Sequence, residues 1–119
     1  MKIAVGGLNK NEMAVAIKKA DPNAEVTVTN DMNGAALIKQ GKVDYYFGAC
    51  NSGGGAAISI LIGLVGYNKC CTVCKNGAVP NKEEIEQFVH ECKVVFGMTV
   101  DSLDTTVPIL VDVLKKNVK

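Results

Sequence analysis

The 119-residue sequence contains no arginine and no tryptophan, and His90 is its single histidine. Without arginine the chain cannot make the two-pronged guanidinium contact that many phosphate and carboxylate sites use, so an anion would have to be bound by backbone N–H groups and lysine. The histidine falls in the middle of a predicted helix, between charged residues. We therefore interpret it as a surface residue rather than an acid-base group.

The sequence also has little net charge and no long apolar run. A formal charge of +1 without a basic cluster argues against nucleic acid or an acidic membrane as a partner. The longest apolar stretch, residues 56–67, is shorter than the roughly 20 residues of a membrane-spanning helix, so no membrane insertion is expected. The N-terminus lacks the pattern of a secretory signal. These features predict a cytoplasmic protein.

The five cysteines do not form a convincing metal or disulfide motif. Cys71 and Cys74 have the spacing of half a zinc or dithiol site, but no second such pair occurs. In the strand predicted here they would point to opposite faces, which prevents a disulfide or a shared zinc ion. We predict neither a metal nor a cofactor, and we interpret Cys70, Cys71 and Cys92 as small core residues.

Strand and helix patterns alternate along the chain with short connections between them. Strands are predicted at residues 2–8, 25–30, 43–50, 69–74 and 94–99, each followed by a helix. This alternation predicts one α/β domain over residues 1–119, a three-layer α/β/α sandwich with a five-stranded parallel sheet. The expected class is flavodoxin-like or Rossmann-like, with a strand order beginning 2-1-3 and the places of strands 4 and 5 left open.

The stretch from Asp44 to Gly66 contains the strongest signal for a binding site. DYYFGAC predicts a buried strand, NSGGG a glycine loop, and AAISILIGLVG an apolar helix over residues 56–66. The first N–H groups of a helix attract anions, and in sheets of this order ligands bind in the crevice between the ends of strands 1 and 3. Both glycine-rich loops end there, so the predicted ligand-binding residues are Gly7, Asn9, Asn51, Ser52, Gly53, Gly54 and Gly55. The simpler alternative is a tight turn that merely needs glycine.

Other residues are expected at the same edge of the sheet. They are Asn30, Asp31, Lys75, Thr99 and Asp101. Asp31 falls about where a dinucleotide site has its ribose-binding acid, although capping of the second helix is the simpler interpretation.

Cys50 is the candidate catalytic residue. It ends the third predicted strand, directly before the loop, and the dipole of a helix starting there would lower the pKa of its thiol. Such a thiolate could act as a general base or nucleophile, whereas the alternative is a buried cysteine that ends a core strand. The few acid-base partners near Cys50 favour binding over catalysis.

The predicted helix 56–66 has no polar face, because Ser59 and Gly63 are the only breaks in its apolar sequence from Ala56 to Val65. A helix on the surface of a sheet would leave a large apolar patch in water. A two-fold partner would cover it, and the small residues Ser59 and Gly63 would let two helices approach closely. We therefore predict a homodimer through this helix, with cover by the last helix or by the loop 75–80 as the alternative.

Three stretches connect the chain to known families: NDM at 30–32, DYYFGACNSGGGAAISI at 44–60 and GYNK at 66–69. Through them the sequence resembles the YhfU family of bacterial proteins of unknown function. A similar glycine loop occurs in the uncharacterised glycine-rich SFCGS family.

The loop is also similar to the C-G-T-G-x-G loop of the B-type ribose-5-phosphate isomerases. That likeness matches Cys50 with the base cysteine, Ser52 with the threonine, and Gly53 and Gly55 with the glycines that hold an oxyanion. It does not extend to the first strand, which ends in GGLN instead of an Asp-His pair, nor to the ring-opening histidine or the phosphate-binding arginines.

Two functions follow from these observations. The first is the binding of a small anionic or polyhydroxylated metabolite at the loop 50–55, in carbohydrate uptake or metabolism. The alternative is an isomerase-like enzyme that uses Cys50 as its general base.

Overall fold

The computed structural model describes residues 1–51 and 58–117. Five strands alternate with five helices in this part of the chain. The strands are β1 (Lys2–Gly7), β2 (Glu25–Val28), β3 (Tyr45–Cys50), β4 (Cys70–Cys74) and β5 (Val95–Thr99). The helices are α1 (Lys10–Ala20), α2 (Asp31–Lys39), α3 (Ser59–Val65), α4 (Lys82–His90) and α5 (Leu103–Lys116). Short 3-10 turns at Tyr67–Lys69 and Val100–Ser102 precede β4 and α5.

The strands form a parallel sheet in the order β2-β1-β3-β5-β4, which confirms the predicted class and the predicted beginning of the order. The sequence left the places of strands 4 and 5 open, and in the structure β5 lies between β3 and β4. In the register of the sheet, Gly7 lies opposite Ala49, and Cys50 lies opposite Thr99. The carboxyl ends of β1, β3 and β5 therefore meet at one edge.

Helices cover both faces of the sheet. On one face, residues of α1, α4 and α5 pack with β1, β3 and β5 into a core that contains the edge-to-face pair Phe47 and Phe96, whose ring centres are 5.8 Å apart. On the other face, α2 and α3 pack around Tyr46, Ile58 and Leu61. This arrangement is the predicted three-layer sandwich.

The central helix, α3, is described from Ser59 to Val65 and ends before Gly66. Ile58, which precedes it, is buried and has non-helical backbone angles. The predicted start at residue 56 lies outside the described residues. In the described part of the chain no helix is both long and apolar enough to span a membrane.

Cys92 is exposed, so its interpretation as a core residue is wrong, whereas Cys70 and Cys71 are buried as expected. Cys92 follows the end of α4 and has a φ of 64°, in the left-handed region. Its N–H donates to the carbonyl of Val89 at 3.0 Å, and the N–H of Lys93 donates to that of Phe88 at 3.1 Å. These two bonds form a Schellman motif, in which glycine usually holds the position of Cys92.

Candidate functional site

The two predicted loops lie side by side where β1 and β3 end. The N–H of Leu8 donates to the carbonyl oxygen of Ala49 at 2.9 Å. Gly7 has a φ of +82°, and a Cβ on it would lie 2.4 Å from that same oxygen. Gly7 is therefore required for the close approach of the two chain segments, whatever it does for a ligand.

Asn9 and Lys10 follow on the β1 side of the crevice. Asn9 precedes α1 in the left-handed conformation, but its side chain does not cap the helix. Instead its Nδ2 donates to Oε2 of Glu12 at 3.4 Å, and the residue is exposed. The ammonium group of Lys10 donates to the carbonyl of Thr29 at 2.9 Å. A lysine, the cation that the composition requires for an anion site, thus lies beside this crevice.

On the β3 side, Cys50 ends the strand and is half-buried. The hydroxyl of Thr99, which is 1% exposed, donates to the carbonyl of Asn51 at 3.2 Å. The N–H of Asp101 donates to the Thr99 hydroxyl at 3.4 Å. Thr99 therefore ties the end of β5 to the start of the glycine loop. The other predicted loop residues, Ser52, Gly53, Gly54 and Gly55, lie outside the described residues.

Cys50 ends β3, and the first helical residue described after it is Ser59, nine positions further along the chain. The side chain of Cys50 packs against the cluster that contains Ile58 and Leu61, so the separation in sequence is not a large separation in space. Residues 52–57 lie outside the described residues, and the effect of a helix start on Cys50 therefore stays a prediction.

Asp31 also differs from its expected role. The side chain of Asn30, not of Asp31, caps α2 by accepting a hydrogen bond from the N–H of Asn33 at 2.9 Å. Asp31 is the first residue of the helix, and its Oδ1 accepts a hydrogen bond from the hydroxyl of Tyr46. The capping interpretation is therefore wrong.

Tyr46 is a buried residue that the sequence analysis did not single out. It is fully buried on β3, and burial, followed by the hydrogen bond to Asp31, raises the pKa of its hydroxyl. Its ring passes between two glycines: a Cβ on Gly6 would lie 2.2 Å from its Oη, and one on Gly34 would lie 2.3 Å from its Cε2. The sequence contains two signals for this contact. One is a tyrosine, with its polar hydroxyl, in the apolar run 43–50, and the other is a glycine inside the predicted second helix.

The remaining candidates lie elsewhere. Lys75 is exposed just after β4, where Cys74 Sγ is 3.0 Å from the Ser102 hydroxyl. His90 lies beside Cys92 at the amino end of the sheet, along a surface cavity of about 730 Å³. Within residues 1–51 and 58–117, no three His, Cys, Asp or Glu side chains are grouped as a metal site would need.

The order of the strands and the two loops at the β1–β3 junction define a doubly wound α/β protein whose expected ligand site is at the carboxyl edge. The comparisons place it among related sequences. Residues 1–114 match the family described as "Protein of unknown function DUF2620", and the chain belongs to this family. It is 43% identical over 115 residues to the uncharacterized protein YhfU of Escherichia coli K12 and, equally, of Shigella flexneri, covering 96% of this chain and 98% of those proteins. The resemblance to YhfU is thereby confirmed.

Among solved structures, the chain is similar to two structures of type B ribose 5-phosphate isomerase from Trypanosoma cruzi. The first has a TM-score of 0.69 at 13% identity, over 97% of this chain and 85% of the isomerase. The second has a TM-score of 0.67 at 14% identity, over 96% and 82%. At this identity the likeness shows a shared fold.

Proposed function

We propose that the protein binds a small anionic or polyhydroxylated metabolite in the crevice between the ends of β1 and β3, and that it acts in carbohydrate uptake or metabolism. The observation that supports this proposal most directly is the contact between the ends of β1 and β3. The hydrogen bond from Leu8 to Ala49 joins the segment 7–9 to the end of β3, where the sheet order reverses. Ligands of open α/β sheets bind at this place.

The polar groups around the crevice suit such a ligand. Lys10 supplies a positive charge, and Gly7 has no side chain that would block the approach of a ligand to the end of β1. Compounds that combine a phosphate or carboxylate with hydroxyl groups match these partners. The fold shared with ribose 5-phosphate isomerases favours sugar phosphates within this class.

A thermal-shift screen against sugar phosphates, sugar acids and amino acids tests the proposal. A ligand of the crevice should raise the unfolding temperature of the wild type but not that of Gly54→Val, whose circular dichroism spectrum should remain that of a folded protein. Ala36→Val, at an exposed position of α2, is the matched control and should respond like the wild type. Binding that survives Gly54→Val would place the site elsewhere.

The second candidate function is an isomerase that uses Cys50 as its base. The position of Cys50 at the end of β3, in a fold shared with type B ribose 5-phosphate isomerases, favours it. The thiolate would take the proton from C2 of the open-chain aldose and return it to C1, the carbonyl carbon, while a proton passes from the C2 hydroxyl to the C1 oxygen, so that the carbonyl moves from C1 to C2. Conversion of D-ribose 5-phosphate to D-ribulose 5-phosphate by the wild type, lost in Cys50→Ala, would support this. Turnover that Cys50→Ala retains would exclude Cys50 as the base.

We also propose a homodimer through the helix predicted at 56–66. On α3, Ile60 and Leu64 are 42% and 43% exposed, and Tyr67, just after this helix, is 78% exposed. Met32, on the helix α2 that packs beside α3, is 66% exposed. Ser59 and Gly63 lie on the exposed part of the same helix, where small side chains allow two copies to approach. Each copy would cover the apolar patch of the other.

Light scattering at micromolar concentration tests the dimer. We expect twice the mass of the 12.6 kDa chain, and Leu64→Asp should restore the monomer. Val79→Asp is the control, because Val79 is 84% exposed in a loop after β4. A monomeric wild type, or a dimer that Leu64→Asp leaves intact, would refute this interface.

A further inference from the structure

Asp31 lies at the crevice as the first residue of α2, and it is not the residue that caps this helix. The backbone carbon of Asn30 is 3.4 Å from where a Cβ on Gly6 would be, which places the start of α2 against the end of β1. Since the side chain of Asn30 accepts from the N–H of Asn33, the carboxylate of Asp31 is not needed as the side-chain cap of α2. It is partly exposed.

The partners of this carboxylate are few. Within residues 1–51 and 58–117, the hydroxyl of Tyr46 is the one hydrogen-bond donor to it, and no lysine forms an ion pair with it. Tyr46 contacts Oδ1. A carboxylate has about four acceptor sites, so Asp31 can accept further hydrogen bonds from a ligand.

The way Tyr46 is buried indicates that its hydroxyl matters. Gly6 and Gly34 leave the space through which the ring reaches Asp31, and a side chain on either would collide with it. A phenylalanine would fill most of the same volume without bringing a polar hydroxyl into the interior, which costs free energy unless it finds a partner. Here the partner is a carboxylate at the edge of the expected ligand site.

We propose that Asp31 accepts a hydrogen bond from a ligand hydroxyl and that Tyr46 positions its carboxylate, so that the crevice selects a polyhydroxylated compound over a bare inorganic anion. This inference rests on the proposed function and narrows its ligand class. A negative carboxylate repels an inorganic anion, whereas it accepts strongly from sugar hydroxyls. Asp31 is the ligand-binding residue in this account, and Tyr46 is a positioning residue.

Titrations of the wild type with D-ribose 5-phosphate, D-ribose and inorganic phosphate, followed by NMR shifts of the backbone amides, test the inference. Asp31→Asn keeps the shape and the acceptor for Tyr46 but turns the other oxygen into a donor. It should weaken binding of D-ribose 5-phosphate about tenfold or more, as expected for a lost hydrogen bond to a charged group. Binding of inorganic phosphate should stay the same or strengthen. Tyr46→Phe should lower the preference for D-ribose 5-phosphate over phosphate in the same direction, by a smaller factor.

Neighbouring residues provide matched controls. Tyr45→Phe removes the hydroxyl of the adjacent tyrosine, whose ring lies against Phe96 on the opposite face of the sheet. Asp44→Asn neutralises a carboxylate at the amino end of the sheet, where it accepts from the N–H of Lys2 at 2.8 Å. Neither variant should change the preference between the two probes.

The outcomes separate the inference from the proposed function. If D-ribose 5-phosphate shifts the crevice amides and Asp31→Asn binds it unchanged, the inference is wrong and the proposed function stands. The same follows if phosphate binds the wild type as tightly as D-ribose 5-phosphate. If Tyr46→Phe weakens both probes equally, Tyr46 has a merely structural role and its positioning role is refuted. If none of the three probes shifts the crevice amides, the inference fails, and the thermal-shift screen decides the proposed function separately.

Discussion

Replacing Gly34 by alanine should destabilise the protein, although alanine is the better helix former. Gly34 is inside α2, where the exchange would by propensity alone stabilise by about 1 kcal/mol. The added Cβ would lie 2.3 Å and 2.4 Å from Cε2 and Cδ2 of Tyr46. Ordinary carbon contacts are about 3.5–4.0 Å, so ring or helix must move by more than about 1 Å.

The ring of Tyr46 has little room to move, because it is fully buried and its Oη lies against Gly6 on the other side. Overpacking of this kind costs about 1–3 kcal/mol, which the gain in propensity reduces. After the propensity gain of about 1 kcal/mol is subtracted, we expect a net loss of about 1 kcal/mol, and at most about 2 kcal/mol. With a urea m-value of about 2 kcal/mol/M, the unfolding midpoint should fall by roughly 0.5 M, and by at most roughly 1 M.

Urea unfolding followed by far-UV circular dichroism measures this loss, with Ala36→Gly as the control. Ala36 is exposed two residues further along α2, so Ala36→Gly reports helix propensity alone and should cost about 1 kcal/mol. Gly34→Ala and Ala36→Gly are opposite exchanges, and both should therefore lower the stability of the protein. If Gly34→Ala stabilises by about what Ala36→Gly costs, the close contact with Tyr46 has no energetic weight and the reasoning is refuted.

Three further predictions concern the tyrosine and the cysteines. The fold raises the pKa of Tyr46, so above pH about 10 the unfolded chain loses a proton that the folded protein keeps, and the free energy of unfolding should fall by about 1.4 kcal/mol per pH unit. Urea unfolding between pH 9 and 11 should show a shallower decline for Tyr46→Phe than for the wild type. An equal decline in the two proteins would show that Tyr46 is not its cause. Cys92→Gly should raise stability by about 0.5–1 kcal/mol, because the left-handed conformation strains every residue except glycine, whereas a lower urea midpoint would show that the thiol contributes more than the strain costs. In a thiol-labelling time course the exposed Cys92 should react well before Cys71, since burial raises the pKa of the Cys71 thiol, and the absence of the fast phase in Cys92→Ser would assign it.

The architecture could be predicted because it depends on local patterns. Apolar strands separated by amphipathic helices are visible in the sequence, and the right-handed connection rule limits their arrangement to a few orders. The sequence does not show that β5 is the inner strand and β4 the outer one, because both are short, buried strands with the same apolar pattern. Nothing local distinguishes a central from an outer position when both faces are covered.

The sequence predicts where the candidate site should lie, but not which side chains contact each other there. The segments that end in Gly7 and Cys50 do lie side by side at the junction of β1 and β3. The bond between Tyr46 and Asp31 escaped the sequence analysis because it joins residues 15 positions apart on different elements. The wrong interpretation of Asp31 arose because Asn30 and Asp31 are both good capping residues, and only the register of the first turn decides between them.

The position of β5 has a consequence for synthesis on the ribosome. β5 follows β4 in the chain, yet it lies between β3 and β4. Until residue 99 has been made, two strands that become neighbours of β5 therefore expose unpaired backbone groups toward an unfilled gap. Such edges are templates for pairing with other chains. The last strand thus completes the sheet by filling the gap between β3 and β4. A nascent chain stalled before β5 would be the species most exposed to aggregation and most dependent on chaperones.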